Sequence, residues 1–238
     1  MMTRRHLLRA ALSSAAAAVL AACTGKKTPG ATATRSPAAS STPTPSPTTT
    51  VPVPACVVRP ELTEGPYFVD EKINRADIRE DREGVPLRLR FNVAQLDAAA
   101  CTALQGAQVD VWHCDAAGTY SDVVQNSTSG QKFLRGYQLT DAAGRAEFTT
   151  IFPGWYRGRA IHIHFKIRSG NRAFTSQLFF DDATINSVMA RAPYSGRGAP
   201  DTPNSADGIF GQSGGRLTLA LTQDGSGYAG AFDIGLQT

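Results

Sequence analysis

The sequence is short of the residues that most metal sites and membrane spans require. Of its 238 residues, four are histidine and four are cysteine. His6 lies in the N-terminal stretch, so only His113, His162 and His164 remain for chemistry. Copper or zinc sites built from three or four imidazoles are therefore hard to assemble, and thiolate sites are scarcely easier. The Ala- and Leu-rich run from Ala10 to Ala22 is shorter than the ~20 residues a membrane-spanning helix needs. No stretch keeps a helical period over three turns, and no internal repeat appears. Acidic residues are missing before Glu61. That gap makes the net charge of +4 misleading, because Arg4, Arg5, Arg9, Lys26, Lys27 and Arg35 all fall within it. Residues 56–238 carry about −2 without them. No basic patch is left that would argue for nucleic acid as a partner.

The N-terminus carries the basic residues in an ordered pattern. Thr3-Arg4-Arg5-His6-Leu7-Leu8-Arg9 resembles a twin-arginine export signal. Leu20-Ala21-Ala22-Cys23 resembles a lipobox, in which the cysteine is acylated and becomes the mature N-terminus. A plain cleaved signal with an incidental cysteine is the alternative. Residues 1–22 are thus expected to be an export signal, outside the fold. Residues 23–55 are rich in Thr, Pro, Ser and Ala, with almost nothing large and apolar. Such a segment cannot bury enough surface to offset the entropy of ordering, so a tether is expected, reaching about 100 Å if extended. The chain is expected to be exported and lipid-anchored through Cys23, on the outer side of the cytoplasmic membrane or in the cell envelope. That compartment permits a disulfide. Cys56, Cys101 and Cys114 cannot all pair within one chain, so one bond and one free thiol are expected. A straight strand would hold Cys101 and Cys114 about 20 Å apart, which mildly favours a bond using Cys56.

From residue 85 onward, short alternating runs are broken by Gly, Asp and Pro. Strands are expected over 87–93, 109–113, 146–152, 161–167, 174–180, 217–222 and 227–234, with a short helix over 182–190. Several short strands and frequent turns predict an all-β fold, a single β-sandwich over residues 56–238.

His162 and His164 stand two apart on one of these strands, so both imidazoles share a face. Alone, His-x-His is a modest sign of a metal site. Tyrosines add to it: Tyr120 follows the turn Asp115-Ala116-Ala117-Gly118-Thr119, and Tyr156 ends Pro153-Gly154-Trp155-Tyr156. Two phenolates with two imidazoles suit Fe(III) better than a soft metal, and a trivalent ion offsets the cost of ionising phenols of pKa ~10. Tyr137 is a rival phenolate that reads as strand packing. Trp112 and His113 read as structural, and Tyr67 either lines a pocket mouth or packs.

Four separated motifs in order resemble the intradiol ring-cleavage dioxygenase family, in its exported bacterial branch. They are Thr63–Phe68, Val109–Tyr120, Phe152–Phe165 and Ser176–Phe180. The resemblance implies a β-sandwich holding one Fe(III) per chain, with Tyr120 and His162 as equatorial ligands and Tyr156 and His164 as axial ones. It also implies that Arg159 faces the bound ring and that Gln177 lines the same pocket. The substrates implied are a small aromatic diol and O2, the ring being cut between its hydroxyls to a muconate-type diacid. The chain departs from the family in two ways. The stretch from Tyr156 to His162 is shorter than in protocatechuate enzymes, and a tether stands where cytoplasmic catechol enzymes carry a helical domain. A non-catalytic, surface-tethered β-sandwich binding module is the competing reading; it needs neither four ligands nor Arg159.

Overall fold

The computed structural model describes residues 55–97 and 100–237. The expected signal and nearly all of the expected tether lie outside the described residues. Nine strands form among them: β1 (Pro86–Leu96), β2 (Cys101–Ala103), β3 (Gln108–Trp112), β4 (Arg135–Leu139), β5 (Arg145–Ile151), β6 (His162–Ser169), β7 (Arg172–Phe179), β8 (Leu221–Asp224) and β9 (Gly227–Gln237). Two short helices follow β7, α1 (Asp182–Met189) and α2 (Gly208–Ser213). One sheet runs β2-β1-β9-β8, with β5 also pairing β1; the other runs β4-β3-β6-β7. The β1–β9 pairing is parallel and every other strand pairing is antiparallel. The expected all-β sandwich is present.

Alternation explains how the sheets meet. On β1, Leu87, Leu89, Phe91 and Val93 are buried, while Arg88 and Arg90 point outward to ion pairs with Asp224 and Glu147. Phe91 lies at the centre of the core, its ring 5.1 Å from Phe165, 6.1 Å from Phe232 and 6.2 Å from Phe148. Truncating such a residue to alanine costs about 3–5 kcal/mol. On β6, Ile163, Phe165 and Ile167 join this core. The alternate residues, His162, His164, Lys166 and Arg168, therefore face away from it. An N-terminal arm covers that outer face. Lys166 pairs with Glu64, and Arg168 with Asp70 and Asp110; both cations lie over the ring of Phe68.

Cys56 and Cys101 form the disulfide, and Cys114 is the free, buried thiol. Burial, with help from Asp115, pushes the Cys114 thiol up to about 12, so it is inert. The expected strand over 217–222 needs correction. Leu217 and Leu219 are buried in alternation, yet this stretch touches its neighbour by a single bridge, Thr218 to Phe179, and β8 begins only at Leu221. β2, β4 and α2 are additional to the expected elements. Among the described residues, no helix is long and apolar enough to cross a membrane.

Candidate functional site

The site sits where the outer face of the β4-β3-β6-β7 sheet meets two turns. Register places Trp112, His164 and Gln177 side by side across β3, β6 and β7, and His162 beside Phe179. Trp112 stacks on His164 at 5.0 Å and 10° between planes, holding that ring flat. Tyr120 enters from the turn after β3, where Asp115 Oδ1 accepts from the amides of Ala117 and Thr119. Tyr156 enters from the turn before β6. The two turns interlock at glycines: a Cβ on Gly118 would lie 2.2 Å from the Trp155 carbonyl oxygen, and one on Gly154 would lie 2.4 Å from that of Ala116. Neither position has room for a side chain, and that close approach brings the tyrosines together.

All four expected ligand side chains converge. The Tyr120 and Tyr156 rings are 5.7 Å apart, Tyr156 and His162 5.6 Å, His162 and His164 4.7 Å, and Tyr120 and His164 6.2 Å. His162 Nδ1 donates to the Ala160 carbonyl at 2.7 Å, which leaves a lone pair on Nε2. That nitrogen accepts from the Tyr156 hydroxyl at 3.1 Å and stands 3.0 Å from His164 Nε2. The Tyr120 hydroxyl is buried and meets no hydrogen-bond partner of good geometry, although Tyr156 is near enough to perturb it. His164 Nδ1 is likewise unpartnered.

Without a cation these groups resist charging. Burial, reinforced by Arg159, lowers His162 to about 3. Burial, then His162 and Arg159, push His164 well below its ordinary value. Burial raises Tyr120 well above 10, and raises Tyr156 to about 12 although Arg159 works against it. Neutral imidazoles are the ligand form, and a bound cation would invert the balance for the phenols. A buried phenol oxygen with no partner, beside a second phenol and two imidazoles free of carboxylates, fits a hard trivalent ion such as Fe(III). Among the described residues no three His, Cys, Asp or Glu side chains cluster as a rival site.

Arg159 and Gln177 meet beside the histidines. Arg159 Nη2 donates to Gln177 Oε1 at 2.6 Å, and Gln177 Nε2 donates to the Thr63 carbonyl at 2.9 Å. Tyr67 both packs and faces the site: its ring is 4.7 Å from Tyr120 and 6.4 Å from Tyr156. Tyr137 lies on β4 opposite Asp110, and among the described residues its ring stacks on none of the four. His113 is buried, donating through Nδ1 to the Cys114 carbonyl and accepting from Thr150, as a structural histidine does. Asp207 was not foreseen. It is buried at the start of α2, and its Oδ2 accepts from Arg159 Nε at 2.9 Å. Burial works to raise this carboxyl, but the amides of Ala160 and Phe210 and the Arg159 guanidinium outweigh it and hold it below its ordinary value.

Comparison with known proteins decides the family. Residues 63–193 match the family model described as Dioxygenase. The fold matches the intradiol ring-cleavage dioxygenase from Tetranychus urticae with a TM-score of 0.69 and 33% identity, over 76% of this chain and 94% of that one. The chain belongs to the intradiol ring-cleavage dioxygenase family. The fold also matches the dioxygenase domain of a dioxygenase–carbohydrate-binding protein fusion from Streptomyces sp. SirexAA-E, with a TM-score of 0.59 and 30% identity over 76% of this chain and 99% of that one. Catechol 1,2-dioxygenase 1 of Acinetobacter lwoffii is 28% identical over 142 residues, 50% of this chain and 45% of that protein. The chain spans about half the length of the curated relatives it matches. The match to the Dioxygenase family model takes in Tyr120, Tyr156, His162, His164, Arg159 and Gln177, and stops short of Asp207.

Proposed function

We propose that this chain is a non-haem Fe(III) dioxygenase that opens catechol-type rings between the two hydroxyls. The observation that carries the reading is the convergence of Tyr120, Tyr156, His162 and His164 around a buried phenol oxygen without a partner. These four side chains would hold one ferric ion. When bound, the ion acts as a Lewis acid and template, drawing electron density from the diol so that dioxygen can react with the ring.

The protein's own groups divide the remaining work. Tyr156 is only half-buried, unlike Tyr120, and its phenol oxygen lies 3.1 Å from His162 Nε2, where as a phenolate it can take a proton from an entering catechol hydroxyl. Arg159 is held beside the histidines by Asp207 and Gln177, placed to stabilise negative charge that grows on the ring. Tyr67 and Trp112 wall the cluster, the first against Tyr120 and the second against His164. One catechol and one O2 give one cis,cis-muconate-type diacid: the bond between the hydroxyl-bearing carbons breaks, and each of those carbons gains one oxygen. We further propose export and lipid anchoring at Cys23, supported by the twin-arginine and lipobox residues. The tethered binding module is the less favoured reading, because a ligand surface gains nothing from two phenols and two buried imidazoles converging on one point.

Oxygen uptake by iron-replete protein against a panel of catechols, with product identification, tests the proposal. Muconate-type diacids support it. Extradiol semialdehydes, or no consumption of any catechol, refute it.

A further inference from the structure

We infer that Asp207 is a positioning residue that acts on the ring-cleaving reaction through Arg159; the inference rests on the function proposed above. The Asp207 carboxylate makes four hydrogen bonds, and it accepts all of them. Oδ2 receives Arg159 Nε at 2.9 Å and the Ala160 amide at 2.7 Å. Oδ1 receives the amides of Ile209 at 2.7 Å and Phe210 at 3.1 Å. An asparagine cannot serve in its place. In either orientation its NH2 group faces two donors, and one of the two oxygens that hold them is lost.

The carboxylate thereby joins segments distant in sequence. It caps α2, fixes the peptide that enters β6, and grips the guanidinium on one edge. Gln177 grips the other edge through Nη2 at 2.6 Å and is itself tied to the Thr63 carbonyl. Among the described residues nothing bonds Nη1, so the clamp leaves that one nitrogen unengaged. A long side chain with several free rotamers is thus reduced to one orientation before substrate arrives, which an electrostatic group must have in order to act without reorganising. The Ala160 peptide is a second route from Asp207 into the site, because its carbonyl accepts from His162 Nδ1. The test must therefore separate an effect on Arg159 from an effect on the metal-facing imidazole.

The experiment is a double-mutant cycle in the full-length, iron-replete protein, using Asp207→Asn, Arg159→Ala and both together. Turnover of catechol, anaerobic catechol binding read by the visible spectrum, and the resting spectrum are measured for each. Arg159→Ala is expected to lower kcat roughly 100-fold, the effect of losing one such electrostatic group. Asp207→Asn is expected to lower kcat at least ~10-fold, with KM and anaerobic binding changed less than ~3-fold and the resting colour kept. The double variant is expected to be no worse than Arg159→Ala, whereas independent effects would multiply to roughly 1000-fold. Multiplied losses, a loss confined to KM, or a changed resting spectrum in Asp207→Asn overturn the inference. If Asp207→Asn does not fold, Asp207→Glu, which keeps the charge but displaces it, enters the same cycle with the same expectation. An unmodified protein that consumes no catechol overturns the proposed function and this inference together. Additive losses in an active enzyme overturn only the inference.

Discussion

Gly65→Ala should disturb the site from the arm that crosses it, and the structure sets the size of the effect. Gly65 adopts φ +72°, a left-handed conformation that costs an L-residue about 1–2 kcal/mol. A Cβ there would also lie 3.2 Å from His164 Cε1 and 3.8 Å from its Nε2. The ring has little freedom to recede, because Trp112 is stacked against it at 5.0 Å. Forcing a methyl into such a contact adds about 1 kcal/mol or more. The total, about 2–3 kcal/mol, corresponds to a fall of roughly 5–10 °C in Tm for a domain of this size. Gly158→Ala is the control. Its φ is +82°, but nothing lies within 4 Å of the added Cβ, so only the backbone cost of about 1–2 kcal/mol applies. Melting curves and visible spectra of the iron-loaded variants separate the two effects. Gly65→Ala should melt below Gly158→Ala and shift the tyrosinate-to-iron absorption; Gly158→Ala should leave that band in place. Equal melting temperatures with unshifted bands in both variants would refute the argument that the arm bears on His164.

Tyr120→Phe should change the colour of the iron-loaded protein, because a charge-transfer donor is lost, while Tyr137→Phe should leave it unchanged; the reverse pattern would show that the wrong phenol has been assigned. Replacing Cys56 and Cys101 together by serine should lower stability by about 4 kcal/mol, the loop-entropy value for a crosslink spanning 45 residues, read from denaturant melts. A loss below about 1 kcal/mol would mean that the bond does not stabilise by restricting the unfolded chain. Cys23→Ala should move the protein from membranes into soluble fractions of the producing cell, and unchanged fractionation would remove the lipid anchor from the account.

How much of this was legible in the sequence depends on the range of the interaction. β6 could be read at once, because Ile161 to Ile167 alternates without interruption and alternation alone puts His162 and His164 on one face. The two tyrosines were legible only within their turn motifs, since what brings them together is the interlock of Gly118 and Gly154 between different turns. β4 was hidden by its sequence, Arg135-Gly136-Tyr137-Gln138-Leu139, in which Arg135 is buried and Leu139 is half-exposed, the opposite of the hydrophobic pattern. Leu217 and Leu219 misled in the other sense: they alternate because they plug the core beside Phe179, not because they pair along a strand. α2 is six residues long, too short to show a period. Asp207 bonds an arginine 48 positions earlier in the chain, and a carboxylate before Gly-Ile-Phe carries no local sign of that partner beyond its use as a helix cap. The disulfide lay between these cases, with the bond through Cys56 mildly favoured and the partner left open.

The claim that Tyr120, Tyr156, His162 and His164 form a ferric centre for intradiol cleavage is tested most directly by one measurement on purified, iron-replete protein: the products formed from catechol under 18O2, quantified against bound iron. The account predicts one iron per chain and a muconate-type diacid with one labelled oxygen gained at each new carboxyl end. A protein that holds no iron, or one that holds iron and forms only extradiol semialdehydes or nothing, would contradict it.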